Sequence, residues 1–314
     1  MMNTIERVSL IGLGALGSAY FSQIRKFLPQ DNISIIAEGA RAEKYRTGGV
    51  KVNGRDYRLK VVEPFEKCDP ADLLVFGVKF YNLNEAVRQV KNHVSDNTII
   101  ISLLNGISSE EIIGNAYGLD KVLYSISVGI DAVREGTATS YKNLGMISFG
   151  QKINLSGQYT PKVLKLKEFL ERTQINYSIP EDMLKVLWWK FMVNVGVNQV
   201  SAVLRAPYGV FQKVKKAREL MIASMQEVID IAQVAGIKLT RTAIDEWLEV
   251  VDKLSPAGKT SMLQDIEAGR PTEVDIFAGT VVELGQKYKV PTPINKTLLD
   301  IIKACEGMFQ YNEA

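Results

Sequence analysis

Lys190, Asn194 and Asn198 stand four residues apart within the segment 184–203, which is otherwise almost wholly apolar. In a helix that spacing puts them on one face, drifting by about 40° per step. Leu187, Trp188, Trp189, Phe191, Met192, Val193, Val195 and Val197 surround the stripe. A surface helix carries a broad polar face, whereas a helix apolar on most sides is buried. The stripe is therefore expected to line an internal cleft; the plain alternative is that it is the solvent side. A buried ammonium costs several kcal/mol unless partnered, and groups kept at that cost are often working groups. On this reading Lys190 is a working residue.

Other chemistry is restricted by composition. The 314 residues include one histidine, His93, and two cysteines, Cys68 and Cys305, far apart in sequence. That supply argues against a transition-metal site and against a histidine-based nucleophilic triad. His93 follows a predicted helix in a polar stretch and is expected at the surface. Two unpaired thiols suit a reducing, cytoplasmic setting. A net charge of +3 is too small to imply nucleic acid or a membrane surface as partner. No run approaches the roughly 20 apolar residues that span a bilayer. The short lead from Met1 to the apolar run Val8–Ile11 leaves no room for a secretory signal. Chemistry is left to lysine, amides, carboxylates or a cofactor.

The elements that must position these residues fall into two groups. Strands are expected near Arg7–Ile11, Ile33–Ala37, Leu73–Val78 and Thr98–Leu103, alternating with helices near Ala15–Leu28, Leu83–Asn92 and Ser109–Tyr117. Such alternation is the signature of a parallel sheet flanked by helices. Val50–Val52 and Tyr57–Val62 read as a hairpin turning at Asn53-Gly54. Further strands of the same domain are expected at Lys121–Gly129, Thr137–Tyr141 and Met146–Phe149. A helix near Pro161–Arg172 and a short strand at Ile175–Ser178 follow. Beyond Pro180 the pattern is helical, near 181–204, 214–235, 240–254, 273–288 and 294–306. The fold class read from this is α/β, a Rossmann-type doubly wound N-terminal domain over 1–179, with an all-α domain over 180–314.

Gly12-Leu13-Gly14-Ala15-Leu16-Gly17 fits G-x-G-x-x-G between the first strand and the first helix. Gly12 permits the tight turn, Gly14 lets backbone approach a pyrophosphate, and Gly17 lets the helix pack closely on the strand. The helix N-terminus adds free N–H groups and a positive dipole. A dinucleotide site is expected. Glu38, at the end of the second strand, is placed to grip a ribose 2′-hydroxyl, which favours NAD. Arg41, Lys44 and Arg46 follow, and an arginine there suits the 2′-phosphate of NADP. Lys79 and Asn105 lie just past the third and fourth main strands, the edge where ligands collect; their simpler roles are a solvated charge and a turn residue in Asn105-Gly106.

The chain resembles the ketopantoate reductase (2-dehydropantoate 2-reductase) family over nearly its whole length. The resemblance rests on motifs in order: the glycine motif, Val78-Lys79, Leu104-Asn105-Gly106, Leu187–Asn194 with Asn198, Ser261–Asp265, and Thr272–Asp275. It implies a helical second domain like the C-terminal one of 6-phosphogluconate dehydrogenase. It also implies NADPH-dependent reduction of the 2-keto group of ketopantoate to pantoate, a step of pantothenate biosynthesis. Lys190 would be the general acid, with Glu273 beside it in the catalytic set. Asn105, Asn194, Asn198 and Ser261 would line the substrate site, and Asn105 and Glu273 would also reach the cofactor. Lys79 would lie near both ligands. Two positions depart from the pattern. Glu38 stands where many members carry an arginine for the 2′-phosphate, leaving Arg41 to take that role. Gly258 stands where some members carry an asparagine, three residues before the serine.

Hydride addition to a ketone leaves charge on oxygen, so the site needs a proton donor and dipoles aimed there. Lys190 beside amides provides both, and a carboxylate such as Glu273 nearby would favour the charged amine against desolvation. Ser261-x-x-Gln264 and Thr272-x-x-Asp275 also resemble helix N-caps, and spacing alone does not separate cap from site. The leading expectation is a 2-keto acid reductase using NADPH. The alternatives are a dehydrogenase of another hydroxy acid, or a non-catalytic NADP(H) sensor. The C-terminal helices could form a homodimer seam or close their own core.

Overall fold

The computed structural model describes residues 4–313. The chain divides into two compact units, the first ending at Leu184 and the second starting at Lys185.

The first unit is built on an eight-stranded sheet. β1 (Val8–Ile11), β6 (Leu73–Phe76) and β7 (Ile99–Ser102) are buried at every residue, as parallel strands covered on both faces must be. β2 (Ile33–Ile36) and β5 (Lys60–Val62) lie to one side of β1, while β6, β7 and β8 (Val122–Val128) lie to the other. These six run parallel; β11 (Met146–Gly150) pairs antiparallel with β8, and β12 (Tyr177–Ser178) closes that edge. Strand order therefore reverses at β1, which opens a crevice at its carboxyl end.

A second sheet has the order β4-β3-β10-β9, from Arg55–Tyr57, Val50–Val52, Ala138–Ser140 and Val133–Glu135. Helix α1 (Ala15–Ile24) packs against β3 and β10, and Gly17 to Ile24 are all buried. Apolar and small residues around its whole circumference allow this burial.

Two sequence expectations for this unit are corrected. Tyr57–Val62 is not one hairpin arm. The chain turns at Asn53 and Gly54, both with positive φ, into β4, then leaves the small sheet so that β5 can join β2. His93 is not a surface residue. It is 1% exposed, and its Nδ1 lies 3.0 Å from Ser9 Oγ on β1. Its carbonyl accepts from the Ala71 amide, so the turn after α3 (Leu83–Gln89) is drawn under the sheet.

The second unit is helical: α6 (Met183–Leu204), α7 (Tyr208–Lys213), α8 (Lys215–Val234), α9 (Thr242–Val251), α10 (Ser261–Glu267), α11 (Thr280–Tyr288) and α12 (Pro293–Glu313). A π-helical turn, Asp275–Gly279, precedes α11. α7 and α10, with six and seven residues, are too short to show a helical period in sequence. Glu227 of α8 is buried and accepts from the Ile294 and Asn295 amides at 2.8 and 3.0 Å, capping α12. Asn295 in turn accepts from Gln199 of α6 at 3.0 Å, so three helices share one buried polar chain. Among the described residues no helix is long and apolar enough to cross a membrane.

Candidate active site

The glycine motif forms a cradle at the end of β1. Gly12 has φ +95°, and a Cβ there would sit 2.5 Å from the carbonyl carbon of Gly77, so only glycine fits. A Cβ at Gly17 would run into the Gly12 carbonyl oxygen. At Gly14 the nearest atom would be 3.9 Å away, which leaves the space above its backbone open to a ligand. Helix α1 starts there with no side-chain cap and no acidic residue in its first turn. Its leading N–H groups and dipole are thus suited to an anion. Ala15 and Leu16 form the first turn, with Leu16 packed on the core.

A cleft of about 330 Å³ adjoins this turn, lined by Gly12, Leu13, Glu38, Arg41, Val78 and Gln89 among others. Glu38 lies two residues past the end of β2 and immediately precedes α2 (Gly39–Gly48) in extended backbone. Its Oε2 accepts from Gln89 Nε2 at 2.8 Å, and the same amide nitrogen donates to Glu85 Oε1 at 3.1 Å. Arg46, one of the cations following Glu38, is drawn off to Glu63 and Glu66 at 2.8 and 3.2 Å. Arg41 is the cation that lines the cleft.

Phe76 and Ser102 are register partners on neighbouring β6 and β7. Lys79 and Asn105 each follow by three residues, and both are half-buried at the carboxyl edge of the sheet. Gly106 has φ +91°, so Asn105 does sit in a turn.

In the second unit α6 carries the stripe. Leu187, Trp188, Phe191, Met192, Val193, Val195 and Val197 are buried; Lys190 and Asn194 are half-buried, and Asn198 is 6% exposed. A broad solvent face is therefore ruled out for this helix. Ser201 continues the stripe about 20° from Lys190. Its hydroxyl donates to the Ala206 carbonyl at 2.6 Å and accepts from Thr260 Oγ1 at 3.1 Å. Thr260 Oγ1 also accepts from the Leu263 amide at 3.1 Å, which makes Thr260 the N-cap of α10. The cap reading of Ser261 is thereby corrected. Ser261 is the first helical residue, exposed, and next in sequence to Thr260, which is tied to Ser201 of α6.

The second cap pattern is also resolved. Thr272 accepts from the Val274 amide at 3.2 Å, and its hydroxyl and amide donate to Glu306 at 2.6 and 2.7 Å. Asp275 pairs with Lys303 at 2.6 Å instead of reaching back. Glu273 lies between them, buried, two residues before the π-helical turn; such turns often mark functional positions. Ser201, Thr260 and Gln89 were not singled out by sequence reasoning. Only Ser201 carries a signal there, its helical phase with Lys190.

Comparison with known proteins agrees with this layout. Residues 8–153 match the family model for ketopantoate reductase PanE/ApbA, and 182–306 match that of its C-terminal domain. A 2-dehydropantoate 2-reductase of Pyrobaculum aerophilum is 29% identical over 302 residues, covering 95% of this chain and 98% of the relative. Among solved structures, a D-mandelate dehydrogenase with NADH and anilino(oxo)acetate superposes with a TM-score of 0.86 at 22% identity, covering 97% and 99% of the two chains. A dimeric ketopantoate reductase from Staphylococcus aureus gives 0.79 at 17% identity, covering 96% and 99%. With a reversing sheet, a glycine cradle and a helical second unit in family order, the chain belongs to the ketopantoate reductase family of oxidoreductases.

Proposed function

We propose that this protein reduces the 2-keto group of ketopantoate to the hydroxyl of pantoate, with Lys190 as general acid. The observation that carries the reading is the α6 stripe: one ammonium and two carboxamides on a helix otherwise buried, leading to Ser261 through Ser201 and Thr260. The uncapped start of α1 and the open space at Gly14 fit a dinucleotide pyrophosphate. When bound, the reduced nicotinamide supplies the hydride. Lys190 donates a proton to the carbonyl oxygen as charge gathers on it, and Asn194 and Asn198 direct amide dipoles toward the substrate. Ser261, its hydroxyl not used as a cap, binds the substrate carboxylate together with nearby backbone N–H groups. Glu273 supports the charged form of Lys190. Lys79 and Asn105 serve the ligand edge of the first unit. The dimeric relative supports a homodimer.

The test is absorbance loss of the reduced coenzyme with ketopantoate present. Lys190→Ala is expected to lower turnover by roughly 10²–10⁴-fold with folding unchanged, and Glu273→Ala by less. Full activity of Lys190→Ala removes the acid assignment.

One observation favours a second substrate reading. A Cβ on Gly258 would stand 3.0 Å from the Tyr208 ring, so an asparagine at 258 would have to push that ring aside. That favours another 2-keto acid, and a substrate panel decides between them. For the coenzyme, Arg41 supports the NADPH of the sequence reading, whereas Glu38 in the same cleft supports NADH.

A further inference from the structure

We propose that Glu38, held by Gln89 and accompanied by Glu85, makes the cleft of the first unit select NADH over NADPH. The inference rests on the reductase reading and goes beyond it by fixing the coenzyme. Gln89 Nε2 lies 2.8 Å from Glu38 Oε2 and 3.1 Å from Glu85 Oε1, so one amide holds two carboxylates in the lining of the cleft. Glu38 stands just past the carboxyl end of β2, one residue beyond Ala37, the position from which a carboxylate accepts from the hydroxyls of an adenosine ribose. A carboxylate has acceptor capacity for several donors, and Gln89 engages Oε2, which leaves Oε1 to the ribose. Fixing the side chain beforehand removes part of the ordering cost on binding.

A 2′-phosphate entering the same place brings about two negative charges toward Glu38 and Glu85. Arg41 opposes that repulsion, but it is a single cation against two carboxylates. Arg46 does not join it, being paired with Glu63 and Glu66. Gln89 is a positioning residue in this scheme: it touches Glu38, not the coenzyme chemistry.

The experiment is equilibrium titration of the full-length protein with NADH and with NADPH, followed by coenzyme fluorescence in phosphate-free buffer and without substrate. NADH is expected to bind at least tenfold more tightly. Glu38→Ser should reverse the ratio by letting Arg41 meet the 2′-phosphate. Gln89→Leu should weaken NADH severalfold and leave NADPH unchanged, whereas a merely structural role would weaken both alike. Equal or tighter NADPH binding by the unmodified protein overturns the proposal while leaving the reductase reading intact. Binding of neither coenzyme overturns both.

Discussion

Acidification should destabilise the first unit through His93. Burial, aided by the charge of Lys60, lowers the imidazole pKa from the ordinary 6.5 to about 4. Ser9 Oγ lies 3.0 Å from Nδ1, with the Cys68 sulfur 3.6 Å from the ring nitrogens. The folded form thus holds a neutral ring where the unfolded chain would take up a proton. Between pH 6.5 and 4 the unfolded state binds more protons, so stability rises with pH across that window. The contribution is complete above 6.5 and is lost progressively as pH falls toward 4. At pH 5 the two values give a loss of about 2 kcal/mol relative to pH 7.5. For a unit of this size that corresponds to roughly 4–8 °C in melting temperature. The assay is thermal melting of the protein and of His93→Gln at pH 7.5 and pH 5. Other groups also titrate, so the quantity of interest is the difference between the two proteins. The variant should lose about 2 kcal/mol less on acidification. As His93 is the chain's only histidine, a single imidazole resonance also reports its titration directly. Equal acid losses in both proteins, or a midpoint near 6.5, would refute the reasoning.

Gly12→Ala should lower the melting temperature and weaken coenzyme binding at least tenfold, because φ +95° and the Gly77 carbonyl leave no room for a methyl group; fluorescence titration reads the second effect. Thr260→Val removes the α10 cap and its link to Ser201, at a cost of about 1–2 kcal/mol by denaturant unfolding. The same variant should raise KM more than it lowers kcat, since it frees the segment carrying Ser261 while leaving Lys190 in place.

Period and punctuation made much of this molecule readable in advance. Continuous apolar runs such as Leu73–Phe76 need a covered parallel sheet, and Gly12 with Gly17 needs a strand-to-helix turn that no larger residue permits. The one-sided thread on α6 announced a helix buried over most of its surface. These are local statements, in which neighbouring residues carry all the information. Tertiary structure decided what depends on partners distant in sequence. His93 looked solvated because its neighbours are polar, yet its contacts are Ser9 and Cys68, 84 and 25 positions away. Whether Thr260 or Ser261 capped α10 turned on a hydroxyl 59 positions distant, that of Ser201. Glu38 could be placed by strand arithmetic, but its being held by Gln89 and joined by Glu85 required α3 to fold back beside β2. Hydrogen bonds across such separations leave no periodic trace in a sequence, so charge and polarity there remain ambiguous until the chain has packed.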